Sequence, residues 1–118
     1  MKNAFVFPGQ GSQFVGMGKE LAANFASAKN VFQEVNDALS QDLLKLMVEG
    51  PENELTLTAN AQPALMAFSM AVVKILENEF GIKISDYASF VAGHSLGEYS
   101  AACAAGVFSL TDTAKLLR

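Results

Sequence analysis

Histidine and cysteine are nearly missing: the 118 residues hold one of each, His94 and Cys103. That is too few nitrogen and sulfur ligands for a zinc site. It also leaves Cys103 without a partner for an internal disulfide. Set among alanines on an expected helix, Cys103 reads as a small core filler and not as a redox or catalytic thiol. Positive charge is scarce as well. Eight Lys and Arg stand against twelve Asp and Glu, a net charge of −4, which argues against a nucleic-acid-binding surface. Long apolar runs are lacking too. Met1-Lys2-Asn3 leads into an apolar run too short for a secretory signal. The charge-free stretch from Leu55 to Val73 is broken by Thr56, Thr58, Asn60, Gln62 and Pro63, so it does not read as a membrane span. The expectation is a cytoplasmic protein with no nucleic-acid or membrane partner. No repeat, low-complexity run or interdomain linker appears. At 51% hydrophobic and 17% charged, the chain has enough apolar material to bury one core.

Periodicity predicts a strand over 4–7 and helices near 17–27, 28–38 and 41–48, with Gly50-Pro51 as punctuation. A short helix is expected to start at Pro51, since proline suits a first helical turn. Residues 56–60 read as a connector and 61–80 as the longest helix. Its alanines together with Leu65, Phe68, Val72, Ile75 and Leu76 cover more than a narrow stripe, so it is expected to lie largely buried against a sheet. Gly81 is placed as its C-terminal cap. A strand over 88–92, a helix to about Ala105 and a last helix entered through Thr111-Asp112 complete the series. Strands separated by helices imply an α/β fold with a parallel sheet. Met17, Met47, Met66 and Met70 fall in helix-like segments and read as core filler.

Chemistry concentrates at Gly93-His94-Ser95-Leu96-Gly97, between the apolar run 89–92 and the helix-like 98–105. A G-x-S-x-G between strand and helix is the pattern of a nucleophile elbow, a tight turn that holds one serine hydroxyl clear of the backbone. Ser95 is the candidate nucleophile. The N–H of Leu96, the next residue, is the expected donor to an oxyanion, with the helix N-terminus favouring developing negative charge. A serine hydroxyl needs a neighbouring base, most often histidine. His94 adjoins Ser95 in sequence, and successive side chains at such a turn point apart. It is expected to be a packed neighbour of the elbow and not the base. Ahead of it, Ala4-Phe5-Val6-Phe7 runs into the glycine-rich Pro8-Gly9-Gln10-Gly11-Ser12-Gln13. That loop matches neither the dinucleotide fingerprint, since Phe14 stands where glycine is required, nor the P-loop, since Met17 replaces its lysine.

Taken together, Phe5-Val6-Phe7-Pro8-Gly9-Gln10-Gly11-Ser12-Gln13, Gln62-Pro63-Ala64-Leu65 and Gly93-His94-Ser95-Leu96-Gly97-Glu98-Tyr99-Ser100-Ala101 stand in the order and spacing of malonyl-CoA:acyl carrier protein transacylases. The chain resembles the opening part of these enzymes from its first residue to its last. The resemblance implies an α/β-hydrolase-like acyltransferase core in which residues 1–118 form the N-terminal portion of a single catalytic domain, with a ferredoxin-like subdomain outside this chain. It implies that Ser95 carries the acyl group as an ester, that the amides of Gln10 and Leu96 form the oxyanion hole, and that Gln62 lies near the active site as a substrate-binding residue, the alternative for Gln62 being a polar residue at the N-terminus of the next helix. No cofactor is implied, malonyl-CoA being a substrate; acyl carrier protein and the C-terminal remainder of the enzyme are the implied partners.

The same resemblance places the catalytic histidine later in the chain and the arginine that holds the malonyl carboxylate just past Arg118, which is then a helix residue nearby. Glu98 reads as structural. Three alternatives accompany this reading: an acyltransferase piece of a polyketide synthase, an α/β-hydrolase esterase, and an inactive fragment lacking base and clamp. Esterases usually build the oxyanion loop from a His-Gly-Gly-Gly-type segment, whereas this chain offers Gly9-Gln10-Gly11-Ser12-Gln13.

Overall fold

A computed structural model describes residues 4–87, 90–93 and 96–118. The chain is α/β: helices gathered around a small sheet of two parallel strands, β1 (Ala4–Phe7) and β2 (Phe90–Gly93). Between them run α1 (Lys19–Asn24), α2 (Ala26–Leu39), α3 (Leu43–Glu49), α4 (Glu52–Leu55), α5 (Thr58–Phe80) and α6 (Ile84–Tyr87); α7 (Gly97–Ala104) and α8 (Leu110–Leu117) follow β2. The register pairs Ala4 with Phe90, Phe5 with Val91, Val6 with Ala92 and Phe7 with Gly93. Both strands thus end at the same level, and the loops that leave them emerge side by side. In open α/β sheets this carboxyl edge is where ligands bind.

The core is built mainly by α2 against α5. On α2, Ala28, Val31, Phe32 and Val35 recur at helical spacing and are buried. Each large side chain of this kind contributes about 1.5–3 kcal/mol by leaving water. The helix stops at Ser40, which takes a left-handed conformation with φ 50°. On α5, Ala61, Ala64, Ala67 and Ala71 are fully buried, and their small side chains let α2, α7 and α8 come close. Gly81 closes α5 in the left-handed conformation, φ 67°, as expected from the sequence. The four methionines read as filler, Met17, Met47, Met66 and Met70, are all buried.

Several expected boundaries move. α5 begins at Thr58, three residues earlier, so most of the supposed connector is helix and Pro63 lies inside it. Its chief partner is α2 and not the sheet, and Val72 is half exposed, because two strands are too narrow to cover a helix of 23 residues. Pro51 caps α4 instead of opening it. The last helix begins at Leu110 because Ser109 is its cap, its Oγ accepting from the Asp112 amide at 3.1 Å. α6 was not anticipated. The strand expected over 88–92 is described at 90–93, residues 88 and 89 lying outside the described residues. By length and composition α5 passes for a membrane span, yet 61% of its most apolar window is buried within the fold.

Candidate active site

Two glycines join the loops at the carboxyl edge. A Cβ on Gly93, the last residue of β2, would overlap the carbonyl group of Gly97 and come within 2.5 Å of the Glu98 amide nitrogen. A Cβ on Gly97 would in turn overlap the Phe7 carbonyl oxygen and lie 3.1 Å from the Pro8 carbonyl oxygen. The start of α7 is therefore pressed against the end of β2 on one side and the end of β1 on the other. Only hydrogen fits at either position, because the obstructing atoms are backbone and cannot swing away. Between these glycines, Leu96 is buried and sits at the cap position of α7 with φ −57° and ψ −25°. Ser95 and His94 lie outside the described residues.

Beyond Phe7 the chain enters the loop that carries Gln10. Gly9 is buried while Gln10 is exposed. The loop bonds to itself: the Gly11 amide donates to Gln13 Oε1 at 2.8 Å and the Ser12 amide to the Gly9 carbonyl at 3.4 Å. Gln10 Nε2 donates to Thr58 Oγ1 at 3.2 Å, which ties the loop to the first residue of α5. Gln62 stands one turn further along that helix, half-buried. Gln10 and Leu96 thus belong to two loops brought together by Gly97, and Gln62 belongs to the helix on which the first loop rests. Thr58 and Gln13, which hold the loop, were not singled out from the sequence. A threonine beginning a helix and a glutamine in a glycine-rich loop carry no long-range signal.

The remaining candidates take other places. Glu98 is exposed in the first turn of α7, a position where a carboxylate suits the helix dipole. Cys103 is buried between α7 and its neighbours. Burial pushes its thiol pKa up, the Thr113 side chain opposing in part, so the reactive thiolate is disfavoured, as befits packing material. Arg118 follows α8 and is engaged elsewhere: its Nε donates to the Ala59 carbonyl at 3.1 Å and its Nη2 to Gln41 Oε1.

Comparison with known proteins bears directly on this arrangement. Residues 4–118 match the family described as acyl transferase domain. The malonyl CoA-acyl carrier protein transacylase of Bacillus subtilis (strain 168) is 51% identical over 117 residues, a span covering 99% of this chain and 35% of that protein. The crystal structure of acyl-carrier-protein-S-malonyltransferase from Bartonella henselae superposes with a TM-score of 0.97 at 63% identity, covering 100% of this chain and 37% of the other. A structure of a type II PKS acyl-carrier protein in complex with its malonyl-transacylase superposes with a TM-score of 0.91 at 44% identity, covering 99% and 37%. The chain spans about a third of the length of the curated relatives it matches.

Proposed function

Because the chain belongs to the acyl transferase domain family, we propose that it carries the nucleophile and oxyanion hole of a malonyl-CoA:acyl carrier protein transacylase, within one catalytic domain that extends beyond these 118 residues. The reading is supported most directly by the backbone packing of Gly93 and Gly97, which brings the Gln10 loop against the segment holding Leu96. A strand-to-helix turn packed this tightly is what a nucleophile elbow on an α/β-hydrolase-like sheet requires.

Ser95 Oγ attacks the malonyl thioester carbonyl while a histidine from outside this chain takes its proton. The amides of Gln10 and Leu96 hold the tetrahedral oxyanion. The carbon–sulfur bond then breaks, coenzyme A leaves as the thiol with the proton from the histidine, and the malonyl group rests on Ser95 as an ester. The phosphopantetheine thiol of acyl carrier protein attacks that ester in turn. Its proton returns through the histidine to Ser95 as the carbon–oxygen bond breaks. Gln62 lines the substrate side of the site, an arginine outside this chain holds the malonyl carboxylate through a bidentate fork, and no cofactor takes part. The reaction belongs to fatty acid synthesis in the cytoplasm.

The acceptor tests this reading against an esterase. The complete enzyme bearing this segment is expected to pass malonyl to a carrier thiol far faster than to water, followed by mass spectrometry of the carrier alongside release of free malonate. Release of malonate as the main product would contradict it.

A further inference from the structure

Pro63 is the sixth residue of α5. It has no N–H, and the i→i−4 pattern of the helix assigns that missing donor to the carbonyl of Ala59. That carbonyl is nonetheless served, by Arg118 Nε at 3.1 Å, from a residue 59 positions away in the sequence. The same guanidinium reaches Gln41 Oε1 through Nη2, and Gln41 Nε2 donates to Asn60 Oδ1 at 3.4 Å. Asn60 Nδ2 completes the set by donating to the Glu54 carbonyl at 2.9 Å. The first turn of α5 is thus clamped from the end of α8, from the segment before α3 and from α4. It also bears Thr58, on which Gln10 rests, and leads into Gln62.

We propose that Arg118 is a positioning residue for the active-site wall: it supplies the hydrogen bond that Pro63 cannot, fixes the first turn of α5, and through Thr58 fixes the side chain of Gln10. The proposal rests on the reading above only in assigning Gln10 and Gln62 to the active site. Arginine suits the task because its planar fork serves two acceptors at a fixed angle, the Ala59 carbonyl and the Gln41 amide oxygen, which a lysine ammonium does not. An ordinary surface contact of Arg118 would be indifferent to the residue at position 63. A surrogate donor is not indifferent, since Pro63→Ala restores the helix's own N–H and makes the guanidinium redundant.

A double-mutant cycle on the complete enzyme bearing this segment measures that dependence. The readouts are amide hydrogen exchange at Asn60 and Ala61, which donate to the Leu57 carbonyl at 2.9 and 2.8 Å, and the side-chain amide NMR signals of Gln10. Arg118→Met is expected to speed exchange at both amides about tenfold, the scale of a lost hydrogen bond to a charged group, and to displace the Gln10 signals. In the Pro63→Ala background the same change is expected to alter exchange less than about twofold and to leave the Gln10 signals in place. Equal effects of Arg118→Met in both backgrounds, or Gln10 signals that never move, overturn the proposal. Should Pro63→Ala fail to fold, Arg118→Lys takes its place. Lysine is expected to restore part of the protection at Asn60 and Ala61 by reaching the Ala59 carbonyl, and exchange as fast as in Arg118→Met overturns the proposal. None of these readouts involves acyl transfer, so a failure of the transacylase reading would leave them unchanged.

Discussion

Gly93→Ala and Gly97→Ala are each expected to destabilise the chain by about 3 kcal/mol or more, the upper range for overpacking, because the new methyl meets backbone that cannot move aside. Gly97→Ala drives its Cβ into the Phe7 carbonyl, and Gly93→Ala drives its Cβ into the carbonyl group of Gly97. Relief would have to come from separating α7 from β1 or from β2, which dismantles the carboxyl edge itself. Gly81→Ala is the control. It stands at φ 67° with nothing within 4 Å of its Cβ direction, so only the conformational cost of a left-handed alanine applies, about 1–2 kcal/mol. Urea unfolding of the three variants measures the difference. Against the stability of about 5–15 kcal/mol typical of a folded domain, the substitutions at 93 and 97 remove a large share. Equal losses for all three would mean that close approach is not what selects glycine at 93 and 97.

Leu96→Pro is expected to lower acyl transfer by about 100-fold or more in the complete enzyme, the magnitude of losing one oxyanion donor. The φ of Leu96 is −57°, close to the value near −65° at which proline is fixed. Proline also removes a buried leucine side chain, so Leu96→Ala must accompany it. The alanine variant is expected to lose about 2–5 kcal/mol of stability through the cavity it leaves, while keeping the N–H and most of the rate per folded molecule. Steady-state rates corrected for the folded fraction separate the two effects. An unaltered rate in the proline variant would remove Leu96 from the oxyanion hole.

The residues that build the carboxyl edge were legible in the sequence because their demands are local. Phe7 ends one apolar run and Gly93 follows another, and the tight turn read from glycines at 93 and 97 agrees with the close backbone packing at both positions. The cap at Gly81 was legible for the same reason. Part of what escaped was decided by distant partners. Residues 56–60 read as a connector, so the helix was expected from 61. The actual start at Thr58 coincides with a donor, Arg118, that reaches the Ala59 carbonyl from the other end of the chain. The Ser109 cap was overlooked because Thr111 and Asp112 offered equally good start signals two residues later. At the candidate site, the start of the Gln10 loop at Phe7 and Pro8 packs against Gly97, the residue after Leu96, and Gln62 lies on the helix to which Gln10 is bonded. Thr58, which joins them, was invisible until α5 was seen to begin there.

Acylation of Ser95 tests the central claim most directly. The 118-residue chain is incubated with malonyl-CoA, alone and together with the remainder of a complete transacylase, and examined by intact mass and peptide mapping. The account expects a malonyl adduct on the peptide containing Ser95 only when the remainder supplies base and carboxylate clamp, and none with Ser95→Ala. An adduct on another residue, or one that survives Ser95→Ala, would contradict it.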